Sequence, residues 1–346
     1  MGWWPLIKLI PKRTNFKFVS FAFLFGILSV AACGLSVAAM FTAGLRESPI
    51  ALYNEGTGGP VERVGYVLSQ GFNLGIDFKG GTLIELEAGA PVQIDALRET
   101  VSGMGLGDVQ VQNFGDPNHA LVRFESPEGS SPADVADQVK GEIRALVGEV
   151  EFTRTEVVGP AVSEELFVGG LTALGLAIVM MLIYIWFRFE WQFGLGAILG
   201  LFHDVLLVLG MFSIFRIEFT LTIIAALLTI IGYGINDTVV VFDRIRENLR
   251  KYKKMPLGDL VDLSINETLS RTIMTGVTAL MALAGLIWLG GEALFGFAVA
   301  MFFGIVIGTY SSIYVASPAL LIWGVKRGWD DPKQKAAAEN AAASAP

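Results

Sequence analysis

The sequence predicts a polytopic α-helical membrane protein, with six transmembrane helices and a ferredoxin-like α+β domain between the first and the second. Three observations carry this. The chain of 346 residues is 53% hydrophobic and only 17% charged. Several of its apolar runs exceed the roughly 18 residues needed to cross a bilayer. The only sizeable polar block follows the first run, and its apolar spacing reads β-α-β-β-α-β, the split ferredoxin-like order.

Composition also excludes several function classes. A net charge of −8 argues against a nucleic-acid partner. Cys33 is the one cysteine and lies in an apolar run, so neither a disulfide framework nor a thiolate metal cluster is available. His119 and His203 are the only histidines, too few for a dedicated zinc site. No nucleophile–base–acid set, phosphate cradle or cofactor motif is present, so the chain is not expected to be an enzyme and no metal or cofactor is expected.

Residues 1–17 hold Lys8, Lys12, Arg13 and Lys17 beside Pro5 and Pro11, and read as a cytoplasmic N-terminus. Residues 18–41 form the first transmembrane helix. Their apolar core is longer than that of a signal peptide, so the segment is expected to be retained. Residues 42–160 form the periplasmic block. Its opening, including the arm 49–69, shows little periodicity and contains Gly56, Gly58, Gly59 and Pro60, which predicts an extended arm or loop. Gly75-Ile-Asp-Phe-Lys-Gly-Gly81 then leads into an alternating strand, with the double glycine marking a turn or bulge. It is no P-loop, since no Lys-Ser/Thr pair follows it.

Ile94, Leu97, Val101 and Met104 predict a helix after Pro91, and residues 109–114 and 120–124 a hairpin around Asp116-Pro-Asn118. Ser131-Pro132 opens a second helix, with Val135, Val139, Ile143 and Leu146 on one stripe, and residues 150–158 read as the closing strand. His119, beside a turn without a ligand set, reads as an ordinary exposed histidine.

Residues 161–325 form a five-helix transmembrane region, with spans near 167–187, 193–212, 219–242, 269–289 and 294–322. Trp186 and Trp191 suit interfacial anchors. Residues 243–268 form a cytoplasmic loop bearing Arg244, Arg246, Arg250, Lys251, Lys253 and Lys254, with a short interfacial helix near 257–265. Gly194, Gly196 and Gly200, and Gly304 with Gly308, suit close helix packing. The tail, 326–346, is charged and then Ala-rich, and reads as a disordered cytoplasmic segment. The basic residues favour one side of this arrangement. The positive-inside rule therefore places both termini in the cytoplasm and 42–160 on the outer side of the membrane.

Within the apolar runs three polar groups stand out: His203-Asp204, Asn236-Asp237 and Ser270-Arg271-Thr272. An ionised side chain at mid-bilayer costs about 3 kcal/mol even on the lower scales, so Asp237 requires a bundle interior, a basic partner or a water-filled path. The alternative is a polar pair that only holds helices together. Arg271 lies near the start of the fifth span at a depth similar to Asp237; alone, it also reads as a cation snorkelling to the headgroups. A carboxylate that alternately pairs with arginine and binds a proton is a usable relay. Asp204 lies deeper in the third span, within hydrogen-bonding range of Asn236 or His203 on this reading.

The segments Gly75-Ile-Asp-Phe-Lys-Gly-Gly81, Val158-Gly-Pro160 with Glu165-Leu166, Ile230-Ile-Gly-Tyr-Gly-Ile-Asn-Asp-Thr-Val-Val-Val-Phe-Asp-Arg-Ile-Arg-Glu-Asn248 and Asn266-Glu-Thr-Leu-Ser-Arg-Thr272 closely resemble the SecD/SecF family of bacterial preprotein translocases, on its SecF side. That family belongs to the resistance-nodulation-division superfamily. The resemblance covers the first span to about residue 325. It implies an auxiliary translocase subunit that works with SecD, the SecYEG channel and YajC. With SecD, it would use the proton-motive force to help export unfolded preproteins. It implies proton-path roles for Asp237 and Arg271, with Asn236 beside them and Asp204 as a weaker carry-over, and H+ as the coupling ion. The glycine motif near residue 80 is implied to be structural.

Gly234 stands where serine is common in the family, and the arm 49–69 is longer than usual. The chain reads as the SecF half alone rather than a SecD–SecF fusion. The competing functions are a non-energised assembly scaffold and a small-molecule efflux component. Six spans and one small outer domain are half of what the latter uses.

Overall fold

A computed structural model describes residues 14–43, 48–56, 59–107, 109–125, 127 and 130–325. The basic segment 1–13 and the tail 326–346 lie outside the described residues. The chain divides into two compact units.

The first unit, residues 74–173 with 218–221, contains the soluble domain. A short strand, β1 (Asn73–Leu74), and a single turn of helix, α4 (Ile76–Lys79), precede β2 (Gly81–Ala88), α5 (Ile94–Ser102), β3 (Val109–Phe114), β4 (Asp116–Phe124), α6 (Pro132–Val147) and β5 (Val150–Val158). The sheet order is β3-β4-β2-β5, antiparallel throughout, with Leu83 opposite Arg123 and Ile84 opposite Val122. This is the ferredoxin-like topology that the sequence predicts. Alternation puts Ile84, Leu86, Val122 and Phe124 on the helix-covered face, where they meet Leu97, Val101, Val139 and Ile143. The hairpin turns at Gly115, whose φ of 75° suits glycine, rather than around residues 116–118, which belong to β4. Leu146, expected on the stripe of α6, remains 44% exposed in its final turn.

The second unit holds the long helices. α1 (Phe18–Thr42), α7 (Pro160–Arg188), α8 (Trp191–Phe215), α9 (Leu221–Lys251), α10 (Leu257–Leu289) and the run from α11 (Glu292–Ser311) into α12 (Ser317–Trp323) give six helices long and apolar enough to cross a membrane among the described residues. The first residues of α7 and α9 fall in the sheet's unit. A core of Phe193, Ala197, Ile231, Ile235, Phe242, Ile265, Ile313 and Leu320 joins α8, α9, α10 and the end of the last span. Gly196 lets α8 approach that end closely, since a Cβ there would lie 2.8 Å from the Ala316 carbonyl oxygen.

Two expectations need correction. The arm 49–69 is helical: α2 (Pro49–Glu55) and α3 (Pro60–Gly71). Ser48 caps α2, its Oγ accepting the Ala51 N–H at 3.2 Å, and Pro49 pre-sets the first turn. In α3, Val67 and Gly71 are buried four residues apart, a one-face signal that the surrounding glycines mask in sequence. The loop 243–268 is also mostly helix, and the interfacial helix is simply the start of α10. Its polar residues bind α9 to α10 instead of forming a separate element. Asn248 Nδ2 donates to Ser264 Oγ at 2.9 Å and to Glu267 Oε2 at 2.7 Å, and Arg244 Nε donates to the same Glu267 oxygen at 2.7 Å.

The connection between α8 and α9 is tight. Arg216 takes a left-handed conformation at the end of α8 (φ 54°) and donates to the carbonyls of Ala43 (3.0 Å) and Gly71 (2.8 Å). Ser213 Oγ reaches the Ala39 and Gly71 carbonyls at 2.9 and 3.0 Å. The Ala43 and Gly71 carbonyls at the ends of α1 and α3 thereby gain donors, while the Ala39 carbonyl also accepts the Ala43 N–H at 2.7 Å.

Candidate functional site

The polar groups of the spans form two sites. The first is on α9 and α10. Along α9, Ile223, Leu227, Ile230, Ile231, Gly234, Ile235, Thr238 and Phe242 form the buried stripe, while Thr222, Ala225, Thr229, Gly232 and Asn236 form an exposed one. Adjacent residues on a helix point about 100° apart. Asn236 and Asp237 are therefore split: Asn236 is exposed, and Asp237 is 5% exposed. Asp237 Oδ2 has no hydrogen-bond partner among the described residues, and neither does the buried Thr272 Oγ1 on α10. Arg271 is exposed, and its charge acts on Asp237 although no ion pair within 4 Å joins them. The two sit on neighbouring stretches of α9 and α10 without a closed ion pair between them.

The second site centres on Asp204, 6% exposed. Its Oδ1 lies 2.9 Å from His203 Nδ1, and its Oδ2 accepts the Ser311 hydroxyl at 2.8 Å. Asn236, on the exposed face of α9, is not among these partners. The His203 ring stacks on Tyr310, with centroids 5.8 Å apart. Tyr310 in turn donates to the Phe25 carbonyl at 2.9 Å and shares a 2.7 Å hydrogen bond with Ser29 on α1. A buried histidine, carboxylate and hydroxyl thus link α8, α11 and α1 across an otherwise apolar interior.

Backbone geometry opens space beside this carboxylate. A Cβ on Gly308 would lie 3.4 Å from the Gly234 Cα and 3.6 Å from Asp204 Oδ2. A cavity of about 10 Å³, lined in part by Gly200, Asp204, Gly234 and Thr238, offers room for roughly one water. Thr238 Oγ1 shares a 2.9 Å hydrogen bond with Ser312 Oγ, at the start of a π-helical turn, Ser312–Ala316. Pro318, which cannot donate, follows that turn, and Ser317 Oγ takes up the Ser312 carbonyl at 2.6 Å. Single π turns inside α-helices mark functional positions often enough to single this one out.

Sequence reasoning named His203, Asp204, Asn236, Asp237 and Arg271 but missed Ser311, Ser312, Tyr310 and Thr238. The available signal was Tyr310-Ser311-Ser312 inside an apolar run, three residues with hydroxyls at successive positions. Among the described residues, no group of three or more His, Cys, Asp or Glu is arranged to hold a metal.

Comparison with known proteins places this arrangement. Residues 138–326 match the family described as protein export membrane protein SecD/SecF, C-terminal, and residues 66–92 match the SecD/SecF GG motif. The protein translocase subunit SecF of Cereibacter sphaeroides is 46% identical over 278 residues, 78% of this chain and 86% of that protein. The SecF subunit of Rhodobacter capsulatus is 39% identical over 98% of this chain and 99% of its own length. The crystal structure of SecDF, a translocon-associated membrane protein from Thermus thermophilus, superposes with a TM-score of 0.74 at 34% identity. It covers 91% of this chain, which spans 40% of that one. Sequence, helix number and the sheet domain agree, and the chain is a member of the SecD/SecF family of protein export membrane proteins, a multi-pass inner-membrane protein of the translocase-associated kind.

Proposed function

We propose that the chain is the SecF-type half of a proton-driven export motor, working with SecD beside SecYEG and YajC on unfolded preproteins. Both termini are cytoplasmic on this reading, and residues 42–160 are periplasmic. Asp237 is the proton-binding group, Arg271 its counter-charge, Asn236 its neighbour on the outward face, and Asp204 a second, inner group.

The observation that carries the reading is Asp237 itself, a buried carboxylate with one oxygen unpaired and a cation near but not closed upon it. A closed ion pair would favour the ionised state alone. An open one is poised between proton binding and pairing. Protonation weakens the attraction to Arg271 and shifts the balance between two helix arrangements, as two-state coupling requires. The polar face of Thr229, Gly232 and Asn236 on α9, with Arg271 and Thr275 on α10, is exposed and suits a partner's helices rather than lipid.

The test is export of a slowly translocating secreted protein into inverted membrane vesicles that hold equal amounts of assembled complex. Wild type is compared with Asp237→Asn, with and without an imposed proton gradient. The expected result is loss of the gradient-dependent part of export alone. Unchanged export in the variant would favour a scaffold whose polar groups only specify helix contacts.

A further inference from the structure

A motor of this kind needs a mechanical link from the proton-carrying helix to the outer domain. We propose that Arg123, Glu218 and Asp77 are positioning residues that latch the first turn of α9 to the ferredoxin-like sheet. The inference rests on the proton-coupled reading above and deepens it, since that reading names no residue outside the spans.

The latch is built around the connection Glu218–Leu221, which belongs to the same compact unit as the sheet, whereas α9 from Thr222 onward belongs to the other. Three independent contacts grip this connection. Arg123, on the central strand β4 and 7% exposed, forms an ion pair with Glu218 and donates to the Leu74 carbonyl at 3.2 Å. The Gly75 N–H donates to the Phe219 carbonyl at 2.9 Å. Asp77 Oδ2 accepts the N–H of Leu221, the first residue of α9, at 2.8 Å. A carboxylate at that position satisfies an otherwise unpaired helix N–H and complements the helix dipole.

Packing closes around the same point. Phe78 lies between Phe219 and Phe167, with ring centroids 5.9 and 5.6 Å away. A Cβ on Gly75 would stand 2.8 Å from Glu218 Oε1 and 2.9 Å from Thr220 Cγ2, so a side chain there would push the Glu218 carboxylate out of its present place. The glycine motif near residue 80 thus does more than turn the chain: its Gly75 and Asp77 hold the start of α9.

The geometry favours transmission over mere cohesion. Leu221 and Asp237 share one unbroken helix and are separated by roughly 24 Å of it at 1.5 Å per residue. A stiff rod gripped at one end by the sheet and bearing the proton site along its length delivers axial or tilting motion to the strand that holds Arg123. Burial raises the Glu218 carboxyl above its usual range, against the pull of the Arg123 and Arg154 charges and with the repulsion of Asp77 and Glu156. An ion pair for which burial outweighs attraction is a poor stabilising device, and its usefulness lies in fixing one geometry.

The experiment uses membrane vesicles with the full assembled complex and two readouts, gradient-stimulated export and gradient-driven proton flux. Variants are Glu218→Gln, Arg123→Gln, the swap Arg123→Glu with Glu218→Arg, and Asp237→Asn. The latch predicts that both single variants lose gradient stimulation by at least about fivefold, the lower end for coupled sites. Proton flux stays at the wild-type level, and the swap restores more than half of the stimulation. Export and flux that fall together, or stimulation that persists in Glu218→Gln and Arg123→Gln, overturn the latch while leaving the proton site standing. Wild type without gradient stimulation, or Asp237→Asn that retains it, overturns the underlying reading, and the latch with it.

Discussion

Removing the Ser311 hydroxyl measures what the inner carboxylate depends on. Ser311 is 1% exposed and donates to Asp204 Oδ2 at 2.8 Å, with a second contact to the Gly308 carbonyl at 3.1 Å. A hydrogen bond between neutral groups contributes about 0.5–1.5 kcal/mol, and one to an ionised group about 1.5–3 kcal/mol. Bonds between helices in a bilayer fall lower, averaging about 0.6 and reaching about 1.7 kcal/mol in double-mutant cycles. Ser311→Ala should therefore cost about 1–2 kcal/mol.

Part of that cost belongs to the Gly308 contact, which a cycle with Asp204→Ala separates from the carboxylate's share. The expected coupling is about 1 kcal/mol, at the upper part of the bilayer range because both groups are buried. The parallel cycle of Ser312→Ala with Thr238→Ala, a pair of neutral hydroxyls 2.9 Å apart, should give about half as much. Equilibrium unfolding in mixed micelles, followed by tryptophan fluorescence, gives all the corners. A Ser311–Asp204 coupling within about 0.3 kcal/mol of zero is simple additivity and would refute the claim that the hydroxyl holds the carboxylate.

A Cβ on Gly304 would come within 2.5–2.9 Å of Ile230, so Gly304→Ala should destabilise by about 1–3 kcal/mol, whereas Gly308→Ala meets only ordinary contacts and should stay within about 0.5 kcal/mol; the same unfolding assay ranks them. Arg216→Ala removes the Ala43 carbonyl's side-chain donor and leaves the Gly71 carbonyl to Ser213 alone, and should cost about 1–2 kcal/mol in thermal or denaturant unfolding. Glu218 sets a pH dependence of known sign. Burial, ahead of its neighbours, raises its folded pKa above the ordinary 4.5, so its contribution to stability is full below that value and is lost as pH rises through the raised one. Glu218→Gln should flatten that part of the wild-type profile of Tm against pH, and parallel profiles would contradict the assignment.

The spans and the ferredoxin-like domain were legible in the sequence because both rest on period and length. Long apolar runs have few other uses, and the alternation at Ile84 and Leu86 or the helical spacing at Val135, Val139 and Ile143 survives any context. The arm was not legible, because two short helices between glycines have too few turns to show a face. Asp237 was legible as a costly residue, and Asp204 as a buried one. His203 and Arg271 were legible beside them as charged or polar breaks in apolar runs, but Ser311 was not, since helix packing rather than sequence distance brings it to Asp204. Arg123 and Glu218 show the same limit more sharply. Each reads as an ordinary surface charge until β4 and the α8–α9 connection meet.

The rotational position of Asp237 ties these levels together. The buried stripe of α9 faces the Asp204 site through Gly234 and Thr238, and its exposed stripe ends in Asn236. Asp237 lies where the two stripes adjoin, buried yet next to the outward polar face. A carboxylate facing lipid would cost a few kcal/mol. At the seam, a small rotation of α9 changes which side it faces. Arg271 is exposed on the neighbouring α10, so a rotation of α9 that exposed the carboxylate would also change its distance from the cation. Under the proposed function, proton occupancy and helix orientation would be one equilibrium, and a grip on Leu221 at the helix start is what would convert that equilibrium into movement of the sheet.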